Sequence, residues 1–517
     1  MHPRKPLYAP HGVVATSQPL AASAGLAALR RGGSAVDAAI ATAVTLAVVE
    51  PGSNDIGGDL FAIVWDGGRL CGLNASGRSP AALTRDRLPR KGMPVDGWLP
   101  VTVPGAPAGW RDLHARYGRL AFADLFTDAI GYAAGGYPVS PTVAAGWQRE
   151  ALRHEALTGP EYAEWARLFG RPPRAGEWFA NPDAARTLDL IARSGADEFY
   201  QGEIATALAR YAADTGGLLT GADLAEHTST WVDPISVRYR GYDVWELPPN
   251  GQGLAALLAL GILDGIEAAG AGAELVRHWQ IEAMKLGYAD AHAYVADPDL
   301  APAPLEALLR PEYTAARRAQ LSGTAGLPVA GVPRRGGTVY LCTADADGTM
   351  VSLIQSNFLG FGAHVTLPGY GFGLQNRGAG FTVEPGHPNE VGGGKRPYHT
   401  IIPGFLTRHG QPVGPFGVMG GHMQPQGHVQ LIVSTVDGGL DPQAALDGPR
   451  WYWKSGRRLY VEPELGTEAV EALRRRGHEV SVEAGSRYGR GQAVWRNPEG
   501  GYVAGSEARA DGAAMGY

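Results

Sequence analysis

The sequence predicts a mixed α/β protein whose two parts differ in their dominant secondary structure. Helical patterns dominate from about residue 107 to residue 320, whereas strand patterns follow residue 337. Short apolar runs separated by turn residues predict two β-hairpins, over residues 59–65 with 69–74 and over residues 338–343 with 351–355. A chain of 517 residues is long enough to bury a large core.

The predicted helices have recognisable ends. Residues 17–31 are rich in alanine and leucine and stop at Gly32-Gly33, and Ser34 with Asp37 then comes close to a capping box. The next helix, to about residue 49, is apolar on nearly all sides and is therefore expected to be buried. Further helices are predicted over residues 122–134, 182–193, 203–214, 252–269, 274–296 and 302–320, and a short strand pair over 235–239 and 242–246.

Composition argues against several classes of partner. The net charge of −6 disfavours nucleic acid and anionic membranes as partners. The apolar run over residues 38–49 is shorter than the roughly 20 residues that cross a bilayer. No apolar segment follows the charged first residues, so we expect no secretory signal and a cytoplasmic protein. Cys71 and Cys342 are predicted to be buried thiols, and no metal-binding spacing is evident.

One threonine stands directly after a segment that is suited to cleavage. Residues 321–337 contain five glycines and two prolines and lack periodicity, which predicts an exposed linker. A cut between Gly337 and Thr338 would give Thr338 a free α-amino group beside its hydroxyl, which is a base and a nucleophile on one residue. Such an amine titrates near 7.7–8, so part of it is neutral at physiological pH. On the residues alone, a structural strand threonine is the alternative.

Several different short motifs are spaced along the chain. They are GSAVDAA at 33–39, IGG at 56–58, GRSP at 77–80, VPG at 103–105, the hairpin that begins at Thr338, GKRP at 394–397 and GG at 420–421. With these motifs the chain resembles the γ-glutamyltranspeptidase family of N-terminal-nucleophile hydrolases over its full length. The resemblance implies a four-layer αββα sandwich and a precursor that cleaves itself into a large subunit, 1–337, and a small subunit, 338–517. It implies no cofactor and no metal, and it leaves further oligomerisation open.

The resemblance also implies catalytic roles for particular residues. Thr338 aligns with the nucleophile, and the Gly337 carbonyl is the group that it would attack during self-cleavage. Gly420 and Gly421 match a glycine pair whose backbone N–H groups stabilise an oxyanion, although a tight turn is the alternative. Ser356 occupies the position of a family threonine that is hydrogen-bonded to the nucleophile, and a polar residue that ends a strand is the alternative.

The resemblance also implies that four further residues bind the substrate. Arg78 matches an arginine that binds the substrate α-carboxylate through two hydrogen bonds, and a solvated turn arginine is the alternative. His399 and Thr400 occupy the positions of two serines that bind the same carboxylate, and a packed strand histidine is the alternative for His399. Arg377 replaces a neutral amide in the segment that normally contacts the α-amino group.

The chain departs from the family pattern around the substrate. Gly380 stands where the family has an aspartate for the α-amino group, and Phe358 replaces a polar residue. A buried ammonium without a counter-charge is costly, so we expect a free γ-glutamyl amine to bind less well here. The segment 381–395 is shorter than the family's lid-bearing segment, which leaves an acyl-enzyme open to water.

The sequence therefore predicts a self-processing amidohydrolase that acts on acidic amides. The first candidate substrates are γ-glutamyl amides such as glutathione, with hydrolysis favoured over transfer to an amine. The alternatives are an amidase for simpler acid amides of the oxamate or glutaryl type, and an unprocessed, non-catalytic member of the family.

Overall fold

The computed structural model describes residues 4–267, 270–327 and 337–517. The strands are β1 (Leu7–Ala9), β2 (Val13–Thr16), β3 (Asp59–Asp66), β4 (Arg69–Asn74), β5 (Tyr137–Pro138), β6 (Trp178–Phe179), β7 (Thr230–Val232), β8 (Ile235–Tyr239), β9 (Tyr242–Glu246), β10 (Gly337–Ala344), β11 (Met350–Phe358), β12 (Gly404–Arg408), β13 (Gln411–Met419), β14 (Trp451–Ser455), β15 (Arg458–Val461), β16 (Glu479–Val482), β17 (Arg490–Arg496), β18 (Tyr502–Ser506) and β19 (Ala513–Gly516).

The helices lie mainly before residue 320, as the periodicity predicts. They are α1 (Pro19–Arg30), α2 (Ala35–Val49), α3 (Ala106–Tyr117), α4 (Thr127–Gly135), α5 (Pro141–His154), α6 (Ala163–Phe169), α7 (Pro182–Ser194), α8 (Asp197–Tyr200), α9 (Glu203–Thr215), α10 (Gly221–Ala225), α11 (Gly253–Asp264), α12 (Ala273–Tyr294), α13 (Leu305–Leu308), α14 (Pro311–Arg318), α15 (Met423–Val436), α16 (Pro442–Asp447) and α17 (Thr467–Arg475).

Two seven-stranded antiparallel sheets form the centre of the protein. The first sheet has the order β19-β2-β10-β11-β3-β4-β7, and the second has the order β1-β18-β17-β13-β12-β9-β8. Each sheet contains strands from before and from after the linker, so the two predicted subunits share one core. The strands β14-β15-β16 and β5-β6 form small separate sheets.

Alternation of side chains along the strands separates the layers. On β10, Val339 and Leu341 pack in the cluster that contains α1 and α2, whereas Tyr340 and Cys342 pack between the two sheets. The outer face of the second sheet packs against α11, α12 and α15. Side chains in a strand point to opposite faces in turn, so one strand contributes to both layers. The result is helix, sheet, sheet and helix, which confirms the predicted four-layer αββα sandwich.

The first buried helix follows its sequence signals closely. The Ser34 side chain accepts a hydrogen bond from the N–H of Asp37, and the Asp37 carboxylate accepts one from the N–H of Ser34, so the capping box is complete. Every residue of α2 is buried, as its all-round apolar character predicts. This helix supports the first sheet beneath β10 and β11.

The main errors of the sequence-based assignment lie at helix boundaries. The single helix predicted over 302–320 is two short helices, α13 and α14, because Pro311 cannot continue a helix and instead begins the second one. Residues 122–126 form a 3₁₀ turn before α4. The helix predicted over 252–269 ends at Asp264, and residues 268 and 269 lie outside the described residues.

Other predictions concern the thiols and the linker. Cys71 and Cys342 are both free and buried, as predicted. Among the described residues, no helix is both long enough and apolar enough to cross a membrane. Residues 321–327 of the predicted linker are mostly exposed, although Ala325 is buried and its N–H donates to the Arg476 carbonyl at 2.7 Å. The remaining linker residues, 328–336, lie outside the described residues.

Candidate active site

Thr338 is the second residue of β10 and is completely buried. The register between β10 and β11 shifts here: Gly337 lies opposite Phe358, but Val339 lies opposite Gln355. A shift of this kind bends the strand locally and redirects side chains, and it is common beside active sites. The irregularity therefore places the Thr338 hydroxyl at a distorted point of an otherwise regular hairpin.

The hydroxyl of Thr338 contacts polar side chains of β11 and α15. Its Oγ1 lies 3.1 Å from Oγ of Ser356 on the neighbouring strand β11, and Nε2 of Gln424 on α15 donates to it at 3.5 Å. Ser356 and Gln424 are both fully buried. The structure thus brings together Thr338 and Ser356, which the sequence predicts to be partners, and adds Gln424 to them.

Arg377 connects this hydroxyl pair to Thr400. Its Nη2 donates to Ser356 Oγ at 3.0 Å and its Nη1 donates to Thr400 Oγ1 at 2.7 Å. The guanidinium also lies over the Phe358 ring, 4.5 Å from its centroid, which is a favourable cation–π distance. A buried cation therefore stands two hydrogen bonds away from the hydroxyl of Thr338.

Ser356 Oγ accepts hydrogen bonds from two donors. Ser356 Oγ accepts from Arg377 Nη2 and, at 2.8 Å, from the N–H of Phe358. In the contact between Ser356 and Thr338 either hydroxyl can be the donor, and donation by Ser356 is compatible with the two hydrogen bonds that it accepts. A donor that is itself polarised by a cation stabilises negative charge as it develops on Thr338 Oγ1.

Asp59 supplies the opposing charge for this buried cation. Burial lowers the pKa of Arg377 to about 9, and the attraction of Asp59 opposes that change. Burial likewise raises the pKa of Asp59 to about 7, while Arg377 and the N–H groups of Gly77 and Gly105 oppose it. The arrangement stabilises both charges only while both residues are present.

His399 is a partner of Asp59, which agrees with the alternative of a packed histidine, and its substrate-binding role stays a prediction. Its Nε2 lies 3.0 Å from Asp59 Oδ2, and its Nδ1 accepts from the N–H of Ile401 at 3.4 Å. Burial lowers the pKa of His399 well below its ordinary value, so the ring is neutral and Nε2 carries the hydrogen. Because protein groups occupy both ring nitrogens, this geometry does not place His399 to bind a substrate carboxylate.

Arg78 is also engaged by the protein itself. Its Nη1 donates to Asp297 Oδ2 at 2.6 Å and to the Gly394 carbonyl at 3.0 Å, and its Nη2 pairs with Asp299. Two carboxylates of its own chain already neutralise the guanidinium. These contacts give Arg78 a structural role, and its binding of a substrate carboxylate stays a prediction.

The glycine pair lies where β13 leads into α15. Gly420 has φ +132° and Gly421 has φ +60°, values that favour glycine. A Cβ on Gly420 would lie 3.1 Å from the Cα of Gly489. Within the described part of the chain, neither N–H of the pair donates a backbone hydrogen bond, and Gln252 holds the Gly421 carbonyl at 2.9 Å. The pair is consistent with the predicted oxyanion site.

Two cavities border the polar residues around Thr338: the first is lined by Thr338 itself and the second by Thr400. The first, of about 410 Å³, includes Thr338 and Gly420 in its wall, together with Glu50, Trp147, Arg149, Arg153, Leu359 and Arg490. The second, of about 500 Å³, is lined by Phe358, Gly380, Phe381, Tyr398, Thr400 and His422, with Lys91 and Glu384 also in its wall. Leu359 lines the first cavity and its neighbour Phe358, with a strained φ of +76°, lines the second. The turn formed by these two residues therefore lies between the two cavities.

Sequence reasoning missed Asp59, Gln424 and Gln252. Asp59 carries a signal that could have revealed it: it is a charged residue at the start of an otherwise apolar strand, directly after the IGG motif. Gln424 lies between two histidines, His422 and His428, that are more conspicuous metal candidates. Its role depends on how the start of α15 approaches Thr338 in the folded protein, which the local sequence does not show.

Comparisons with known proteins agree on the family and differ in the substrates named. Residues 21–517 match the family model described as gamma-glutamyltranspeptidase. The glutathione hydrolase-like YwrD proenzyme of Bacillus subtilis is 35% identical, covering 96% of this chain and 97% of that protein. The oxamate amidohydrolase proenzyme of Klebsiella pneumoniae is 34% identical, covering 98% of each. A crystal structure of cephalosporin acylase from Bacillus halodurans has a TM-score of 0.96 and 49% identity, covering 100% of this chain and 98% of that one.

The hydrogen bond from Ser356 can be tested by removing it. Ser356→Ala should lower kcat about a hundredfold, because one donor to the reacting oxygen is lost and Arg377 Nη2 loses its acceptor. Ser356→Thr should stay within about threefold of wild type, since a hydroxyl is kept. Ser352→Ala is the matched control: it lies on the same face of β11 and bonds Tyr340 instead. Equal losses in Ser356→Ala and Ser352→Ala would contradict the account.

The raised pKa of Asp59 predicts a pH dependence of stability. An ordinary aspartate has a pKa near 3.9, whereas the value here is about 7. Between these values the folded protein binds more protons than the unfolded chain, so the stability contribution of Asp59 is lost as the pH rises. The melting temperature of wild type minus that of Asp59→Asn should decrease as the pH rises from 5 to 8. Asp66→Asn, an exposed carboxylate at the other end of β3, is the control, and a wild-type curve parallel to that of Asp59→Asn would refute the prediction.

Proposed function

Because this chain belongs to the gamma-glutamyltranspeptidase family of N-terminal-nucleophile hydrolases, we propose that it is a self-processing amidohydrolase whose nucleophile is Thr338. The observation that carries this proposal is the contact of the buried Thr338 hydroxyl with Ser356, which Arg377 polarises from behind. Gly420 lies in the wall of the same cavity as Thr338, where an oxyanion would form.

Processing begins with the uncut chain. Thr338 Oγ1 attacks the carbonyl carbon of Gly337, an ester bond forms, and the amide bond between the two residues breaks. The hydroxyl proton passes to the departing amine of Thr338. Water then hydrolyses the ester and leaves a carboxylate on Gly337 and a free amine on Thr338, so the products are residues 1–337 and 338–517. The proenzyme names of several relatives support this step.

The processed enzyme repeats this chemistry on a substrate. The free amine of Thr338 accepts the proton of its own hydroxyl, and Oγ1 attacks the substrate amide carbon. The oxyanion develops near the N–H groups of Gly420 and Gly421, and the proton leaves with the amine product. Water hydrolyses the remaining ester and releases the acid, while Ser356 and Gln424 keep Oγ1 in position.

Thr400 is the best-placed group to bind an acidic acyl chain. Its Oγ1 accepts from Arg377 Nη1, so its own hydrogen is available to donate into the second cavity, whose wall it forms. A carboxylate bound there also experiences the charge of Arg377 across one hydrogen bond. The acyl group would then extend from Thr338 in the first cavity, across the turn at Phe358, to Thr400 in the second cavity.

The surroundings of Gly380 favour an acyl group without an α-amine. A Cβ at this position would lie 2.3 Å from the Tyr398 carbonyl oxygen, so the backbone excludes any side chain here, including the acid that would pair with an amine. Glu384, the carboxylate in the wall of this cavity, is exposed to solvent, so it is a weaker partner for an ammonium than a buried acid would be. Amides of amine-free dicarboxylic acids, of the glutaryl or oxamate type, are therefore favoured over γ-glutamyl amides such as glutathione.

Removing the nucleophile tests processing directly. Thr338→Ala should remain one full-length band on a denaturing gel, whereas wild type should give two bands near a two-to-one mass ratio. Thr338→Ser keeps a hydroxyl and should still be cut. Cleavage of Thr338→Ala at the same bond would show that another group breaks it, and an uncut wild type would support a non-catalytic scaffold.

A matched pair of substrates tests the acyl preference. Glutaryl-p-nitroanilide and γ-glutamyl-p-nitroanilide differ only in the α-amine, and kcat/KM should favour the glutaryl compound at least about tenfold, because a desolvated ammonium lacks its partner. Oxamate extends the comparison to a shorter acid. Added dipeptide should leave the free acid as the main product. A preference for the γ-glutamyl compound, or efficient transfer to the dipeptide, would count against this assignment.

A further inference from the structure

A cluster of metal-binding side chain types lies outside the Thr338 site, between α12 and the start of β16. His278 and Glu282 stand one turn apart on α12, and His478 directly precedes β16. One ligand atom from each of the three lies within 4.8 Å of the others. Nδ1 of His278 is 2.9 Å from Nε2 of His478, and that nitrogen is 3.9 Å from Oε1 of Glu282.

The groups around this cluster orient its donor atoms. Nε2 of His278 lies 2.9 Å from the Ser322 carbonyl, which can only accept, so this nitrogen carries the hydrogen and Nδ1 presents its lone pair to the cluster. The N–H of Gly326 donates to Oε2 of Glu282 at 2.8 Å, which leaves Oε1 facing His478. Metal-binding imidazoles commonly donate their other N–H to a backbone carbonyl in this way.

Burial and an unsatisfied atom add to this geometry. His278 is fully buried, and His478 and Glu282 are 3% and 6% exposed. Within the described part of the chain, Nδ1 of His478 has no hydrogen-bond partner. Buried polar groups in proteins are usually satisfied, and the other nitrogen of this ring, Nε2, faces the cluster, where it contacts Nδ1 of His278.

We propose that His278, Glu282 and His478 form a binding site for a divalent cation of the zinc type. Nitrogen and carboxylate oxygen are common zinc ligands, and bonds of about 2.0–2.1 Å in a tetrahedral site separate neighbouring ligand atoms by about 3.3 Å. The separations of 2.9 Å and 3.9 Å lie on either side of this value. Binding requires His478 to carry its hydrogen on Nδ1, and a water completes the coordination.

Lys285 is the group that opposes binding. Its Nζ lies 2.7 Å from Glu282 Oε1 and 3.2 Å from the Gly326 carbonyl. The ammonium neutralises Glu282 in the metal-free protein and repels an incoming cation. Its removal should strengthen metal binding, whereas removal of a ligand should abolish it. This opposite response distinguishes a metal site from a cluster that only packs.

The cluster also joins the two proposed subunits. His278 and Glu282 precede the Gly337–Thr338 bond and His478 follows it, while Ser322 and Gly326 belong to the last described segment before that bond. A bound ion would therefore fasten the end of the large subunit to the small one. This role rests on the proposed cleavage, but metal binding itself does not.

Metal titration of the purified, chelator-treated protein tests the site. Wild type should bind one equivalent of Zn²⁺, and Co²⁺ in its place should give the visible absorption of a low-symmetry site. His478→Ala should lose both signals. Lys285→Met should bind Zn²⁺ about tenfold more tightly, because the repelling charge is gone. His409 is an exposed histidine, and the control variant His409→Ala should match wild type. Zn²⁺ should raise the melting temperature of wild type but not of His478→Ala.

The uncut Thr338→Ala variant separates this proposal from the proposed function. It should bind Zn²⁺ as wild type does, whatever the outcome of the activity assays. Wild type that binds no more Zn²⁺ than His478→Ala would overturn the metal site, as would a Lys285→Met variant that binds no more tightly than wild type. Ions held only on the surface would appear equally in all the variants.

Discussion

The hydrogen bond between Thr338 and Ser356 is the contact on which the rest of the site depends. It joins two neighbouring strands at the point where their register shifts. The geometry of the hairpin therefore sets the 3.1 Å distance between the two hydroxyl oxygens. The helix α2 supports this hairpin from one side and the second sheet supports it from the other. The close approach of the two sheets requires Gly417, because a Cβ there would lie 2.5 Å from the Tyr340 ring. The fold therefore fixes the Thr338 hydroxyl before any substrate arrives.

A buried guanidinium beside this pair determines much of the surrounding chemistry. Arg377 is fully enclosed, and such a charge is tolerated only with hydrogen-bond acceptors and a counter-charge. Ser356 and Thr400 supply the acceptors, and Asp59, held by His399, supplies the charge. The same cation contacts both Ser356, the partner of Thr338, and Thr400. The proposed activation of Thr338 and the proposed preference for an acidic acyl group would thus have a common physical origin.

Local sequence predicts the fold more completely than it predicts the site. The strand pairs at 59–74 and 338–358 and the capped helix after Ser34 follow from alternation and end signals, and Thr338, Gly420 and Ser356 follow from motifs. The partners of His399 and Arg78, which are Asp59, Asp297 and Asp299, could not be predicted because they are distant in the chain. The cluster of His278 and His478, 200 residues apart, has no local signal for the same reason.

The central claim is that Thr338 becomes both the first residue of the small subunit and the residue that carries the acyl group. Mass spectrometry of the enzyme, quenched in acid during turnover of glutaryl-p-nitroanilide and then digested, tests this claim most directly. The account predicts a peptide that begins at Thr338 and carries the mass of the glutaryl group on that residue. An acyl group on any other residue, or a Thr338 still joined to Gly337 in active enzyme, would contradict it.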